Sequence, residues 1–438
     1  MSNQVKNKDL LNRSLQAVWH PCTQMKQHEH LPLVPIQSGD GVWLKDADGK
    51  RYLDAVSSWW VNIFGHNNPC IKDAIKQQLD TLEHVMLAGF THEPVVELSE
   101  ILSKLTGLGH AFYASDGASA TEIALKMSFH YWRNTDKPEK KQFISLQNSY
   151  HGETLGALGV TDVAIFKDTY AALLTQSAQM PSPDFRFSED GESSEDFALR
   201  CAQSLEDYVA EHHHELAAFI IEPLVQCAAG MGMYSPIYLK RAREICNQYD
   251  VHLIADEIAV GFGRAGTMFA CEQAGIRPDF ICLSKGITGG YLPLSTVLTT
   301  DDVYAAFYDN STTKAFLHSH SYTGNPLACS AALATLAIFE TDDVVNKNKQ
   351  TAATINDKMK VLTDLPIKHL RSQGMMFAFD VKTESATFAN TFYQQSLEHG
   401  LLVRPIGNTI YFMPPYVINE TEIDFLVQTT KLSIEASL

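Results

Sequence analysis

A chain of 438 residues exceeds what one simple hydrophobic core holds, so two domains are expected. A hydrophobic share of 45% with 19% charged residues is ordinary for a globular protein in water, and no apolar stretch reaches the roughly 18–20 residues of a membrane-spanning helix. The formal net charge of −17, without any basic run, argues against nucleic acid or an anionic membrane as partner.

The chain opens on a polar stretch, Met1 to Asn12, that lacks the apolar core of a secretory leader. Trp19-His20-Pro21-Cys22-Thr23-Gln24-Met25 follows. Gly41-Val42-Trp43-Leu44, a turn at Asp48-Gly49 and Arg51-Tyr52-Leu53-Asp54 then predict a hairpin. In Ser57-Ser58-Trp59-Trp60, adjacent tryptophans on a strand would point opposite ways, one inward and one outward. Burial of both is the default, and a pocket wall is the sharper alternative.

From about His66 to Thr300, strand and helix patterns alternate. Helical spacing covers Ile71 to Leu82, Pro94 to Leu105, Ala118 to Trp132 and Tyr238 to Tyr249. Short apolar runs predict strands at Ala111 to Ala114, Gln142 to Leu146, Ala217 to Leu224, Val251 to Asp256 and Asp279 to Leu283. Alternation of this kind implies an α/β domain with a mainly parallel sheet between helices. Ser182 to Asp196 is rich in Ser, Asp and Glu and reads as a surface loop.

The pattern changes after Gly324-Asn325-Pro326. Helices at Leu327 to Phe339, Val344 to Leu362, Ala386 to His399 and Glu422 to Ala436 accompany strands at Met376 to Val381 and Thr409 to Met413. The expected division is an N-terminal segment (1–65), a large domain (66–325) and a smaller α+β domain (326–438) that the N-terminal segment completes. The eight cysteines are scattered without disulfide or zinc spacing, and Cys282 lies within a predicted strand. A reducing, cytoplasmic setting with no metal follows.

Two predicted strands end abruptly in ionisable residues: Leu253-Ile254-Ala255-Asp256-Glu257 and Asp279-Phe280-Ile281-Cys282-Leu283-Ser284-Lys285. Ligands of open α/β sheets sit at such carboxyl ends. An amine and a carboxylate there are what pyridoxal phosphate needs, the amine as Schiff-base partner of the aldehyde and the carboxylate against the pyridinium nitrogen. A lysine after a strand is more often solvated, and an Asp-Glu pair often only caps the next helix. Gly286, Gly289 and Gly290 tilt the balance, because they leave room for a flat ligand. Ala114-Ser115-Asp116-Gly117-Ala118-Ser119, at a strand-to-helix junction, is either an anion site or an ordinary capped helix start. It matches neither dinucleotide nor nucleotide-triphosphate loop patterns. Asn148-Ser149-Tyr150-His151-Gly152-Glu153 offers an aromatic to stack on a planar ring and an acid for a substrate cation, or is a loop with a half-buried tyrosine. Glu222-Pro223 after a strand could position a polar group or cap a helix.

These residues, with Gly261-Phe262-Gly263-Arg264-Ala265-Gly266 and Thr323-Gly324-Asn325-Pro326-Leu327-Ala328, resemble the class III, fold-type-I aminotransferases over about Trp19 to Thr430. Trp19-His20-Pro21, Ser57-Ser58-Trp59-Trp60, His84-Val85-Met86 and Tyr411-Phe412-Met413-Pro414-Pro415-Tyr416 are similar to the branch that aminates 8-amino-7-oxononanoate from S-adenosylmethionine. The resemblance implies a seven-stranded sheet, pyridoxal 5'-phosphate as cofactor, small-molecule substrates and a homodimer with shared active sites. Lys285 would carry the cofactor and shuttle a proton, Asp256 would hold the ring nitrogen and Tyr150 would stack on the ring. Gly117 and Ala118 would cradle the phosphate, helped by His320 and Ser321 of the partner subunit. Trp59, Cys22, Glu153, Ser319 and Arg404 would meet the substrates, Arg404 as clamp on a carboxylate. The chain departs from the common family pattern at several positions. Cys22 stands where tyrosine is usual, Ala118 where serine is, Ser319-His320-Ser321 for Gly-Pro-Thr, and Glu153 for aspartate. The tyrosine change leaves a lysine-donor or ω-amino acid:pyruvate transaminase as the competing reading.

Overall fold

The computed structural model describes residues 4–31 and 33–438, so the first residues of the polar opening stretch lie outside it. The chain divides into two compact units. The larger comprises residues 69–349 and 371–376, and the smaller comprises residues 1–68, 350–370 and 377–438. Among the described residues no helix is long and apolar enough to cross a membrane.

In the smaller unit, β1 (Ile36–Asp40), β2 (Trp43–Asp46) and β3 (Arg51–Asp54) form an antiparallel meander, with the β2–β3 turn where Asp48-Gly49 predicts it. Ser57–Trp60 is not a strand. It is one helical turn of left-handed residues.

The larger unit contributes β4 (His110–Ala114), β5 (Gln142–Leu146), β6 (Ala178–Met180), β7 (Leu216–Ile221), a small ribbon of β8 (Val225–Gln226) and β9 (Gly232–Met233), then β10 (His252–Asp256), β11 (Phe280–Leu283) and β12 (Ser295–Thr299). Seven of these form one sheet in the order β4-β12-β11-β10-β7-β5-β6. Parallel pairing runs from β11 through β10, β7 and β5 to β6, and β12 alone is antiparallel to both neighbours. Every residue of β7, β10, β11 and β12 is buried, as expected for strands covered on both faces. The helix Gly117–Asn134 lays Ala120, Ile123, Ala124 and Met127 onto Ile220, Ile254, Cys282 and Val297, its alanines permitting close approach to the sheet.

The remaining strands are β13 (Ile367–Gln373), β14 (Met376–Val381), β15 (Leu401–Leu402) and β16 (Thr409–Phe412). β15 joins the N-terminal meander parallel to β3, and β13-β14-β16 make a three-stranded sheet.

One further expectation needs correction. The segment Ser182 to Asp196 is only partly a surface loop: Ser182 and Asp184 are buried, Asp184 pairs with Arg186 at 2.6 Å, and a helix has begun by Ser194. Composition hid this because the polar residues there satisfy one another. The helix Pro326–Asp342 packs on Pro69–Leu79 and Glu93–Thr106 and belongs with them to the larger unit, which runs on to residue 349.

Candidate active site

The parallel strands β4, β5, β7, β10 and β11 bring their carboxyl ends to one edge of the large sheet. Asp256 closes β10, level with Cys282 of β11. Just beyond, Lys285 opens a 3₁₀ turn (Lys285–Thr288) with a left-handed φ of 47°. A non-glycine residue held there stores strain of a kind that collects at functional sites. The turn closes on Gly289 at φ 63°, where a Cβ would lie 2.6 Å from Ile71 Cδ1. Burial lowers the pKa of the half-buried Lys285, outweighing the opposite pull of Cys227, Asp256 and Glu222, and so enriches its neutral amine.

Asp256 is 4% exposed and has a partner at each oxygen. One oxygen accepts the Ile258 N–H at 3.1 Å, and the other lies 2.7 Å from His151 Nδ1. His151 Nε2 is buried and meets no hydrogen-bond partner among the described residues. The sequence marks His151 only as one of 17 histidines. The usable signal was its place after β5, two strands from β10.

The loop carrying Tyr150 is pinned through its backbone. Tyr150 N–H donates to Glu222 at 3.0 Å, His151 N–H to Thr161 Oγ1 at 3.0 Å, and His151 C=O accepts from Thr121 at 2.9 Å. The other Glu222 oxygen takes the Cys227 N–H at 3.1 Å, so this acid positions a loop and caps no helix. Burial pushes its pKa up to about 7, with Asp256 adding to the rise and His151 opposing it. The Tyr150 hydroxyl donates to the exposed Glu153 at 2.9 Å. Glu257 faces away from this chemistry. It accepts from Ala270 and Cys271 N–H groups, and burial raises its pKa to about 7.

At the end of β4, Asp116 caps the helix Gly117–Asn134 through Ser119 N–H. The Gly117 and Ala118 amides fall in the first turn, where no intrahelical acceptor exists. Gly152, at φ 122°, runs so close that a Cβ would sit 2.5 Å from Ala118 Cβ. His320 Nε2 reaches Ser115 Oγ at 3.2 Å within the single chain, and Ser319 and Ser321 are exposed.

The smaller unit has its own constellation. Trp59 is 42% exposed and lies against Arg404, whose guanidinium carbon is 4.6 Å from the ring centroid. Arg404 Nη2 donates to the Cys22 carbonyl at 3.1 Å. Both side chains line a cavity of about 430 Å³ with His20, Thr23 and Tyr393. Trp60 points the other way, 6% exposed, and donates to the Tyr411 hydroxyl at 3.2 Å. Ser57, Ser58, Trp59 and Trp60 have φ of 50°, 48°, 75° and 74°. Each such non-glycine residue costs roughly 1–2 kcal/mol, which surrounding contacts must offset.

A family model, Aminotransferase class-III, matches residues 23–434. The chain belongs to the class-III aminotransferases. It is 48% identical over 417 residues to the adenosylmethionine-8-amino-7-oxononanoate aminotransferase of Helicobacter pylori, covering 93% of this chain and 94% of that one. The class-III aminotransferase of the same description from Methanocaldococcus jannaschii has a crystal structure matching with a TM-score of 0.92 at 35% identity, over 98% of this chain and 100% of that chain. An omega transaminase from Pseudomonas jessenii, in complex with PMP, matches with a TM-score of 0.93 at 29% identity over 98% of each chain.

Proposed function

We propose that this aminotransferase moves an amino group from S-adenosylmethionine to the ketone of 8-amino-7-oxononanoate, forming 7,8-diaminononanoate for biotin, with pyridoxal 5'-phosphate as cofactor. The observation that carries the reading is a lysine of lowered basicity and a buried carboxylate at the carboxyl ends of adjacent parallel strands. The named relatives, 34–48% identical over most of their length, favour this substrate pair. The residues fit the cofactor's parts: an amine, an acid, first-turn amides, and the close approach at Gly152 that only glycine allows.

When bound, pyridoxal phosphate supplies an electron-withdrawing ring and an aldehyde carbon that amines attack. The chain supplies the rest. Lys285 Nζ would act as general base at the donor's α carbon and then as acid at the cofactor carbon, and in the opposite sense for the acceptor, a role its neutral amine suits. Asp256 would pair with the ring nitrogen and favour its protonated form, and His151 fixes the orientation of that carboxylate. Gly117 and Ala118 would offer amides to the phosphate, with His320 and Ser321 of the partner subunit reaching it as well. Tyr150, steadied by Glu222 through the backbone and by Glu153 through the hydroxyl, would cover the ring. Trp59 forms an apolar wall and Arg404 takes the substrate carboxylate, with Cys22 and Ser319 near the substrates. The working particle is a cytoplasmic homodimer whose subunits share their sites.

Cys22, where the family commonly has tyrosine, favours a second reading with another donor. Mixing the purified, cofactor-loaded protein with S-adenosylmethionine, lysine or alanine separates the two. The expected result is loss of the cofactor's visible absorbance with S-adenosylmethionine, restored by 8-amino-7-oxononanoate. A response to alanine or lysine alone would overturn the assignment.

A further inference from the structure

The turn Ser57–Trp60 has no glycine, yet all of its residues are left-handed. Ser58 and Trp59 have ψ of 47° and 49°, which with their φ values is left-handed helix. Helical bonds close it: Trp60 N–H to Val56 C=O at 2.7 Å and Val61 N–H to Ser57 C=O at 3.0 Å. Such a conformation persists only where its surroundings over-determine it.

Asp54 does much of this. It is fully buried at the end of β3, and its carboxylate accepts from Ser58 N–H at 2.9 Å and Ser58 Oγ at 2.7 Å. It also accepts from His66 Nε2 at 3.0 Å, while Asn62 donates to His66 Nδ1 at 3.0 Å. Space for that imidazole comes from Gly39, whose Cβ would stand 2.7 Å from the His66 side chain. Ser57 Oγ donates to Met413 C=O at 2.7 Å, and the Trp60 indole to Tyr411. The result holds Trp60 inward and presents Trp59 to Arg404.

We infer that Asp54 is a positioning residue for substrate selection: by stapling the left-handed turn it sets the Trp59 ring that orients Arg404 for a carboxylate. The inference deepens the proposed function, resting on its assignment of Arg404 to the substrate carboxylate. A guanidinium stacked on an aromatic face, with one nitrogen tied to a carbonyl, loses rotational freedom and leaves its other N–H groups for a planar acid. Without the staple, the turn relaxes toward right-handed backbone and the ring swings off Arg404.

The test compares cofactor-loaded wild type with Asp54→Asn and Ser58→Ala. Ser58→Ala keeps a Cβ at the left-handed position and removes only the hydroxyl bond to Asp54. Calorimetric titration with heptanoate and with heptanamide reads carboxylate selectivity directly. We expect the wild type to prefer the acid, and both variants to lose about tenfold of that preference with amide binding unchanged. A purely structural role would lower the melting temperature and weaken both ligands alike. If Asp54→Asn fails to fold, Ser58→Ala carries the decision. Unchanged acid-to-amide ratios, or no preference in the wild type, would overturn the inference. Altered selectivity in a protein that ignores S-adenosylmethionine would instead sink the proposed function and leave the positioning role standing.

Discussion

Asp256 and Glu257 are neighbours with opposite tasks, because alternate residues at a strand end face opposite sides of the sheet. Asp256 meets His151, whereas Glu257 is spent on two backbone amides. Asp256→Asn keeps the shape and removes the charge, so turnover should fall about 10²–10³-fold while cofactor absorbance shows that binding persists. Full turnover would refute the electron-sink role. Glu257 gives a stability prediction. Its pKa rises from 4.5 to about 7 on folding, so the native state binds more protons than the unfolded chain between those values. Its contribution is therefore complete below about pH 4.5 and declines as pH climbs through 7. Glu257→Gln should flatten the fall in melting temperature between pH 5 and 8; an unaltered profile would count against this acid as the source. Asp256 and Lys285 were readable because an ionisable residue ending an apolar run is conspicuous. His151 and Asp54 were not, since their meaning lies in partners far along the chain.

Among elements, the helix Gly117–Asn134 and the loop of Tyr150 depend on each other at a single point. Gly152→Ala would place a methyl against Ala118 and force an L-residue to φ 122°. The loop must then move, so cofactor affinity should drop by tenfold or more in an absorbance titration, with the melting temperature lowered less. Undiminished affinity would show that the loop and the helix start are independent. Most strands and helices were legible here, since buried parallel strands are unbroken apolar runs and their helices have clear periodicity. β12 was not: Ser295-Thr296-Val297-Leu298-Thr299 carries two threonines and a serine, and its reversed direction is invisible to periodicity. The Ser57–Trp60 turn was misjudged because left-handed residues are expected at glycine, and Ser-Ser-Trp-Trp has none.

At the scale of the molecule, the proposed sharing of sites predicts two chains per particle. Light scattering at micromolar concentration should report twice the single-chain mass; a monomer with full turnover would dismiss the shared site. Two units are expected from length alone, and the change of pattern after Pro326 falls on a helix that continues the larger unit's packing. The smaller unit has a consequence for synthesis. β3 pairs with β15 through Leu53 and Leu401, so the N-terminal meander leaves the ribosome long before the strand that completes it. At about 5–20 residues per second, the wait is on the order of tens of seconds. Through that interval the β3 edge lacks the strand that covers it in the finished fold, and an unpaired edge is a template for strands of other chains.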